Sequence, residues 1–571
     1  MGISLDARYT YAMDEENKVL TVSRNPKYLE GFWPEGINSL SAIVGENGTG
    51  KTTFLETMLS VLSGGNKKGL IDTLIVYDEG KGNLRAYTSD VSYQVMYEGT
   101  EITKKSWQSK VPIIKPFYYS SGFRPFSMVH TPGEGEIGDA YNASDTWRLI
   151  RDLQDYGVDE AKKKEVALVD YFDAYKAQDN NRIVQLLCDK ELRGYLPEYA
   201  LPRYVIIVPN GSGFKRMKRS GTNFFLDPYI NFGEAHTKEG YISRIVHNIF
   251  CNLEAESHRD PNIITETVRE KWQRFYDGTK PLLDSLETFK KEVPTYRNHL
   301  DDIKAVVGFL LHACTYNDNV DTLYIDLEQR SNTRKIRKMM ELFQKPDFKM
   351  ARYFDLQYSR DITGRTQLSA GELDMLKLCS RLYDSISLRV ARRHEPMAPG
   401  LILIDEAENS YHPEWQRQFV DILLRFMNAL YQRLDKKNKF QIVLTTHSPI
   451  LLSDIPRMCI NYLERDEEGK IGLSAMQPET FGANVFELYR HAFFMQDGLV
   501  GAYAYNKIKE IRDAIEQEKT LSDEEVKELT CRVDMIGDEA IRHYLLSLLE
   551  RKHKRNMVDY YKQKIAELEE A

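Results

Sequence analysis

A glycine-rich run near the start of the chain has the composition and spacing that bind phosphate. Glycines recur through a short polar stretch, and Lys-Thr follows, which is the P-loop pattern G-x-x-x-x-G-K-[ST]. Backbone N–H groups of such a loop point inward at phosphate oxygens, and the next helix adds its positive end. Lys51 would reach the β- and γ-phosphates, and the Thr52 hydroxyl would hold Mg²⁺. The residues predicted to bind a nucleoside triphosphate are Gly45, Glu46, Asn47, Gly48, Thr49, Gly50, Lys51, Thr52 and Thr53.

Two adjacent carboxylates follow the aliphatic run Leu401–Ile404. An aspartate at the C-terminal end of a buried strand can hold Mg²⁺, so Asp405 is a candidate metal ligand. Glu406 would then polarise the water that attacks the γ-phosphate. Two acids after a strand can also mark the point where a strand reaches the surface. Behind a P-loop, however, they predict a Walker B element with Glu406 as the catalytic base.

Two further segments carry candidate contacts to the γ-phosphate. Leu368-Ser369-Ala370-Gly371-Glu372 has the spacing of a helix capping box, and the same serine and free helix N–H groups form an anion site. Downstream, Thr445-Thr446-His447-Ser448-Pro449 places a histidine just past an apolar run. A lone histidine there is commonly structural, but beside a P-loop it is a candidate γ-phosphate sensor. Ser369, Gly371 and His447 therefore join the predicted site.

Buried parallel strands must position these residues. Leu40–Val44 precedes the P-loop, Leu401–Ile404 precedes Asp405, and Gln441–Leu444 precedes the histidine. Continuous aliphatic runs of this length are typical of strands covered on both faces. Because the carboxyl ends of parallel strands meet at one edge of a sheet, the three motifs are expected to lie close together. The sequence thus predicts an α/β fold.

Composition restricts the class of protein. The 571 residues are 42% hydrophobic and 28% charged, as in ordinary soluble globular proteins, and the net charge of −8 argues against a general polyanion binder. The first residues lack a secretory signal, and no apolar run is long enough to span a bilayer. We therefore expect a cytoplasmic protein without membrane contact. The cysteines are scattered, so reduced thiols rather than a zinc site are expected at Cys188, Cys251, Cys314, Cys379, Cys459 and Cys531.

The alternation of strand and helix patterns divides the chain into four parts. Strand-like pieces dominate the first part, helical patterns the second, strand–helix alternation the third and helical patterns the last. Within the second part, Tyr204–Val208 and Asn223–Asp227 are predicted to form a hairpin with the basic tip Lys215–Arg219. The predicted parts are 1–122 (N-terminal ATPase lobe with the P-loop), 123–350 (a mainly helical insertion), 351–465 (C-terminal ATPase lobe) and 466–571 (a helical C-terminal region).

Taken in order, the P-loop, L-S-x-G-E, hydrophobic-D-E and T-H-S-P motifs resemble an ABC-type ATPase head. The long gap before the signature suits SMC-like and overcoming-lysogenization-defect-like heads, in which an insertion interrupts the two lobes. Asp405–Pro413 is similar to the D-E-x-E-x-x-x-H-P form of the lysogeny-defect group. The resemblance implies a mixed sheet in two lobes, with Mg²⁺ and ATP as cofactors. It also implies a homodimer or higher oligomer, in which the P-loop of one head faces Ser369 of the other across ATP. The Q-loop residue stays unassigned.

The C-terminal part indicates which relatives are most similar. A TOPRIM nuclease needs clustered D-x-D carboxylates, and we find no such set after residue 460. Glu479–Leu488 and Phe493–Gly498 instead resemble the Septu and retron-associated anti-phage defence ATPases, which work beside a separate nuclease. The leading hypothesis is an ATPase subunit of a bacterial anti-phage complex that dimerises on ATP and regulates a separate nuclease effector.

Other readings fit part of the pattern. An SMC-like DNA-repair or chromosome-maintenance clamp would bind nucleic acid through basic clusters, and a scaffold would bind ATP only to assemble. The large insertion and the acidic signature argue against a transporter subunit. The candidate nucleic-acid surface comprises Lys215–Arg219 with Arg330, Arg334, Lys335, Arg337 and Lys338.

Overall fold

Two compact units make up the chain, Met1–Leu488 and Tyr489–Ala571, and each is considered by itself. Their structure is that of a computed structural model. The predicted basic tip Lys215–Arg219 and the segment Phe493–Gly498 lie outside the described residues. The described residues are 2–62, 74–80, 82–88, 92–106, 116–122, 141–155, 168–209, 237–257, 280–292, 297–343, 354–388, 400–434, 436, 439–466, 468–474, 478–492, 500–517 and 521–569.

A seven-stranded sheet forms the centre of the first unit. Neighbouring strands are parallel except for the last pair, which is antiparallel. The strand that ends in Asp405 and the strand that ends in Gly45 are separated by one strand, which ends in Thr445. In spatial order the strands are Tyr141–Asn142, Phe117–Ser120, Leu401–Asp405, Phe440–Thr445, Ile37–Gly45, Ile460–Arg465 and Ile471–Leu473.

The sheet is built from the aliphatic runs that the sequence singles out. All five residues of Leu401–Asp405 are buried, as expected for a parallel strand that is covered on both faces. The P-loop helix Lys51–Leu62 packs Leu55 and Leu59 against Leu403 and Val443 of the sheet. The strands predicted before the P-loop, the carboxylate pair and the histidine are confirmed, and so is the mixed α/β class.

Two smaller sheets lie near the N-terminus. One contains four strands, with antiparallel and parallel pairs, and the other contains three. Val22, Leu84, Ala86 and Val95 form a shared apolar cluster, which holds these sheets together. The strands are Tyr9–Asp14, Val19–Arg24, Gln94–Tyr97 and Thr100–Glu101 in one sheet, and Leu74–Asp78, Leu84–Thr88 and Lys104–Ser106 in the other.

A four-stranded antiparallel sheet corrects the predicted hairpin. Tyr204–Pro209 pairs on one side with Thr322–Asp326 and on the other with Phe354–Ser359. Both hydrogen-bonding edges of Tyr204–Ile207 are therefore occupied by strands other than its predicted partner, so the predicted hairpin is wrong. That partner, Asn223–Asp227, lies outside the described residues. Thr315–Asn317 completes the sheet. The four-part division of the chain stays a prediction, and this sheet draws strands from both sides of residue 350.

Helices make up most of the remaining described elements of the first unit. Pro281 lies immediately before the helix Leu282–Glu292, at a position where proline is tolerated. The described helices of the first unit are Lys51–Leu62, Asp145–Asp155, Leu168–Leu187, Lys190–Arg193, Lys238–Ser257, Leu282–Glu292, Arg297–Ala313, Arg330–Phe343, Ala370–Tyr383, Pro413–Arg433 and Pro449–Leu452, and Val485–Ala492 extends from it into the second unit.

The second unit is helical where it is described. Its helices Ala502–Gln517, Asp523–Asp534 and Glu539–Glu569 share an apolar core that includes Ile515 and Val533. The predicted capping box at Ser522 and Glu525 is confirmed, since each side chain accepts a hydrogen bond from the backbone of the other. Across the described ranges of both units, no helix combines the length and the apolar character needed to cross a membrane.

Candidate functional site

The P-loop adopts a conformation that requires its glycines. Gly48 and Gly50 have φ angles of 80° and 79°, a left-handed region that side chains rarely adopt. A Cβ atom on Gly45 would lie 2.5 Å from the carbonyl oxygen of Leu463 and 2.7 Å from Oγ1 of Thr49. The loop is therefore folded tightly against the neighbouring strand. The described geometry leaves no room for larger residues at Gly45.

Lys51 lies beneath this loop and is buried. Its Nζ donates hydrogen bonds to the carbonyl oxygens of Gly45 at 2.9 Å and Glu46 at 3.0 Å. Burial lowers the pKa of Lys51, while the carboxylates of Glu406 and Asp405 oppose that shift. An ammonium group has three N–H donors, so one remains for a phosphate oxygen. Lys51 is thus placed where a P-loop lysine is needed.

Asp405 joins the two halves of the site. Its carboxylate is completely buried, and the hydroxyl of Thr52 donates to its two oxygens at 3.2 and 3.0 Å, although 353 residues separate the two positions. Thr445 donates to Oδ1 at 2.5 Å and Tyr118 to Oδ2 at 3.2 Å. Three hydroxyl groups from three different elements therefore fix the orientation of one carboxylate.

These residues fit Mg²⁺ and a nucleoside triphosphate. Mg²⁺ prefers hard oxygen ligands and is commonly held by one or two protein oxygens together with substrate phosphates. The Thr52 hydroxyl and the Asp405 carboxylate supply such oxygens, side by side, at the mouth of the P-loop. Gly48 and Gly50 provide the backbone conformation of a phosphate cradle. Thr52 and Asp405 are therefore the residues that would hold the metal ion.

Glu406 follows with an unusual backbone conformation. Its φ and ψ of 48° and 44° are left-handed, which costs free energy for a residue with a side chain and is common at functional sites. The carboxylate accepts a hydrogen bond from Nε2 of His447 at 3.1 Å and from Nδ2 of Asn409 at 3.0 Å. The bond from His447 is the main cause that lowers the pKa of Glu406 to about 2, against the opposing effect of burial. Glu406 is therefore ionised at neutral pH.

Ser369 begins the helix Ala370–Tyr383, here called the signature helix. It forms the predicted capping box: the Ser369 backbone N–H donates to Glu372 at 2.7 Å, and the Glu372 N–H donates to the serine hydroxyl at 3.4 Å. Ser369 itself is exposed to solvent. A Cβ on Gly371 would lie 2.4 Å from the carbonyl oxygen of Ser410, so glycine permits close packing against the turn that follows Glu406.

A buried ionic cluster anchors the other end of the signature helix. Arg381 is fully buried and pairs with Asp179 and Asp145, each at 2.6 Å. Burial alone would raise the pKa of Asp179, but Arg381 and Arg182 reverse this and hold it below its ordinary value. Breaking a buried pair of this kind leaves an uncompensated charge, which is strongly destabilising. The signature helix is thus fixed to the helices that carry Asp145 and Asp179.

The structure brings some predicted site residues together and places others apart. Lys51, Thr52, Asp405, Glu406 and His447 converge at the carboxyl edge of the central sheet. Ser369 and Gly371 lie on the signature helix, where their described contacts are with Glu372 and with the turn at Ser410. Of the remaining P-loop residues, Thr49 is buried, Gly50 is half-buried, and Glu46, Asn47, Gly48 and Thr53 are exposed.

Several contacts were missed by sequence reasoning. Tyr118 and Thr445 hold Asp405, Asn409 holds Glu406, and Arg465 donates to the carbonyl oxygen of Gly48 at 2.7 Å. Tyr118 lies on the strand whose end lacks a recognisable Q-loop glutamine. Thr445 and Asn409 stand directly beside motif residues, so motif spacing alone could have drawn attention to them. No sequence motif near Tyr118 or Arg465 indicates that either residue contacts the site.

Residues 315–453 match the family described as "AAA domain, putative AbiEii toxin, Type IV TA system". This segment contains the signature helix, Asp405, Glu406 and His447, and the P-loop lies before it.

Curated relatives each match a part of the chain. The chain is 29% identical over 130 residues to "Protein ea59" of Escherichia phage lambda, covering 23% of this chain and 21% of that protein. It is 24% identical over 229 residues to "Retron Ec83 probable ATPase" of Escherichia coli, covering 38% of each. It is 23% identical over 196 residues to "Retron Vc95 probable ATPase" of Vibrio cholerae serotype O1 biovar El Tor, covering 32% of this chain and 36% of that protein. The matches thus span less than two fifths of each relative's length.

The resemblance to retron-associated ATPases is confirmed at the level of relationship, since the chain is similar to two proteins that bear that name. The chain is accordingly related to the P-loop ATPases of this group.

Proposed function

We propose that this chain, a relative of retron-associated P-loop ATPases, binds and hydrolyses ATP as a subunit of a bacterial anti-phage defence complex. The contact between Thr52 and Asp405 carries the proposal, since it joins the P-loop to the Walker B strand at 3.0 Å. Its geometry supports a Mg-ATP site, and the names of the retron relatives support the defence context.

Each residue has a defined part in the proposed reaction. Lys51 and the P-loop N–H groups would bind the β- and γ-phosphates, and Thr52 and Asp405 would hold Mg²⁺. When bound there, the metal ion supplies positive charge that stabilises the transferring phosphoryl group. Glu406 accepts the proton of the attacking water, and His447 holds the carboxylate of Glu406 in place.

We further propose that ATP joins two heads and thereby regulates a separate nuclease. Ser369 is exposed at the N-terminus of a 14-residue helix, so its hydroxyl is accessible to a γ-phosphate held by a second copy. A ligand that binds only the closed dimer stabilises that dimer by mass action. Hydrolysis then removes the shared ligand and lets the heads separate.

Substitution of the base tests the proposal directly. Glu406→Gln keeps the shape of the side chain but cannot accept the proton, so ATP turnover should fall about a hundredfold or more. ATP binding should persist, and the variant should accumulate as an ATP-bound dimer in light scattering. Affinity purification of this variant from its native cells should also recover a nuclease. Lys51→Ala should lose ATP, the dimer and the nuclease together.

A matched control separates catalysis from general effects of charge. Glu464 is exposed at the end of a neighbouring strand, and Glu464→Gln makes the same chemical change outside the predicted site. Its turnover should equal that of the unchanged protein. Undiminished turnover in Glu406→Gln would remove this residue from the role of base. Absence of ATP turnover in the unchanged protein would overturn the enzymatic proposal.

A second candidate function, an SMC-like DNA clamp, is favoured by one surface. The helix Arg330–Phe343 exposes Arg334, Arg337 and Lys338, and no carboxylate within the described residues forms an ion pair with these three side chains. Such clusters bind nucleic-acid phosphates with steep salt dependence. The clamp predicts DNA-stimulated ATP turnover that disappears at high salt and in the triple charge-reversal variant. ATP turnover that does not depend on DNA would contradict the clamp and favour the first candidate function.

A further inference from the structure

Glu408 is a buried carboxyl group for which the proposed reaction has no use. Only 2% of the residue is exposed, and it lies two residues after Glu406 in the turn Ala407–Ser410. The hydroxyl of Thr446 donates a hydrogen bond to its Oε1. The backbone N–H of His447 also donates to this carboxylate and thereby lowers its pKa, opposing the larger effect of burial. Glu408 therefore touches the histidine loop twice.

The same contacts extend into a hydrogen-bond network of four residues, Glu408, Gln416, Thr446 and Ser448, here called the Glu408 network. The Ser448 backbone N–H donates to Oγ1 of Thr446 at 2.9 Å, and the Ser448 hydroxyl donates to Oε1 of Gln416 at 2.7 Å. The side-chain amide of Gln416 donates in turn to the carbonyl oxygens of Tyr411 at 3.0 Å and Glu408 at 3.5 Å, which closes the network. The network thus links the turn after Glu406 to the loop that carries His447.

This arrangement fixes the residues on either side of His447. Thr446 is completely buried and Ser448 is 7% exposed, while the His447 side chain between them remains 31% exposed. The positions of Thr446 and Ser448 therefore fix the backbone of His447 and determine where its ring lies relative to Glu406. A threonine hydroxyl that loses its buried partner leaves an unsatisfied polar group, which shifts the loop or costs free energy.

We propose that Glu408, acting through Thr446, positions His447 against Glu406 and is therefore a positioning residue for ATP hydrolysis. The inference rests on the proposed function, since it assigns a part in the same reaction. Among the described hydrogen bonds, Glu408 contacts the loop that carries His447 and contacts neither the P-loop nor Asp405. Its loss should consequently lower kcat and leave the KM for ATP nearly unchanged.

Two substitutions at one position give the sharpest test. Thr446→Val keeps the shape of the side chain but removes the hydroxyl that meets Glu408, so kcat should fall about tenfold because His447 is no longer held in line with Glu406. Thr446→Ser retains the hydroxyl and should keep kcat within about twofold. The KM for ATP should stay within about twofold in both variants, since the P-loop contacts are unchanged.

The partner residue supplies an independent variant. Glu408→Met replaces the carboxyl group by an unbranched apolar side chain and should lower kcat as much as Thr446→Val does. The double variant should be little worse than either single one, because both remove the same interaction. Because ATP turnover is measured in variants at both positions, the inference can still be tested if one of these variants does not fold.

Thr480→Val provides the matched control. Thr480 is completely buried and its hydroxyl donates to the carbonyl oxygen of Ile455 at 2.5 Å, outside the predicted site. It should lower the unfolding temperature without lowering kcat per folded molecule. Equal kcat values in Thr446→Val and Thr480→Val would overturn the inference while leaving ATP hydrolysis intact. Absence of turnover in the unchanged protein would instead overturn the proposed function.

Discussion

At the scale of single residues, the chemistry of the site depends on how tightly Asp405 is held. Its carboxylate accepts hydrogen bonds from Thr52, Thr445 and Tyr118, and the residue is fully buried. Burying a carboxylate is costly unless hydrogen bonds compensate for the lost hydration. The three hydroxyl groups provide that compensation and at the same time aim the oxygens at the P-loop.

Tyr118→Phe should weaken Mg-ATP binding because it removes one of these hydroxyl groups. A hydrogen bond to a charged group contributes about 1.5–3 kcal/mol, so the KM for Mg-ATP should rise about tenfold. Titration of ATP turnover against Mg²⁺ measures the effect. Tyr9→Phe is the matched control, since the hydroxyl of Tyr9 also bonds an aspartate, Asp78 at 2.8 Å, away from the site. A normal KM in Tyr118→Phe would show that Thr52 and Thr445 suffice.

Glu408 should make stability depend on pH. Burial raises its pKa from the ordinary 4.5 to about 7, so between these values the folded protein binds more protons than the unfolded chain. The contribution of Glu408 to stability is therefore fully present below pH 4.5 and is lost as the pH rises through 7. Removal of this titration by Glu408→Gln should reduce the loss of stability between pH 5.5 and 8 by about 2 kcal/mol. Denaturant titrations of the nucleotide-free protein at both pH values measure it, and parallel pH curves would contradict it.

At the scale of elements, the signature helix and the turn Ala407–Ser410 pack as one piece. The hydroxyl of Ser410 donates to Asp374 at 2.7 Å, and Gly371 faces the carbonyl oxygen of Ser410. Asn409 of the same turn donates to Glu406. A displacement of the signature helix would consequently shift Glu406, the proposed base, through the turn Ala407–Ser410.

Gly371→Ala should force that displacement. The new Cβ would lie 2.4 Å from the carbonyl oxygen of Ser410 and 3.3 Å from the ring of Trp415, so either the helix or the turn must move. Overpacking of this kind costs about 1–3 kcal/mol of stability, and turnover should fall about tenfold or more because Glu406 moves with the turn.

Gly308→Ala is the control for this substitution. Gly308 lies within the helix Arg297–Ala313, and its Cβ would meet no atom within 4 Å. Alanine there should slightly stabilise the helix and leave ATP turnover unchanged. If Gly371→Ala behaved in the same way, the close packing of the signature helix would have no part in activity.

The elements that sequence reasoning recovered are those with local signals. Ser369 and Glu372 stand three residues apart, and Leu401–Ile404 is an uninterrupted aliphatic run, so the capping box and the strand follow from short-range spacing. The pairing of Tyr204–Pro209 has no such signal, because its partners Thr322–Asp326 and Phe354–Ser359 are remote in sequence. Register between distant strands is set by packing of the whole unit, so the predicted hairpin failed.

At the scale of the molecule, the nucleotide site forms only when distant parts of the first unit have folded together. The central sheet takes strands from residue 37 to residue 473, and the P-loop meets Asp405 across 353 residues. The exposed Ser369 lies on a different element from the P-loop of its own chain. If two copies complete each site, as proposed, variants of the P-loop and of the signature should complement one another.

Mixing Lys51→Ala with Ser369→Arg tests this arrangement in the full-length protein. Each variant alone should be inactive, because every site would contain one defect. In a symmetric two-headed dimer, however, mixing in equal amounts should restore about a quarter of the normal turnover, since half of the dimers are mixed and each then has one intact site. The restored activity should depend on total protein concentration. With both single variants inactive, no recovery would mean that Lys51 and Ser369 act within one chain. An active Ser369→Arg protein would mean that Ser369 has no role in ATP hydrolysis.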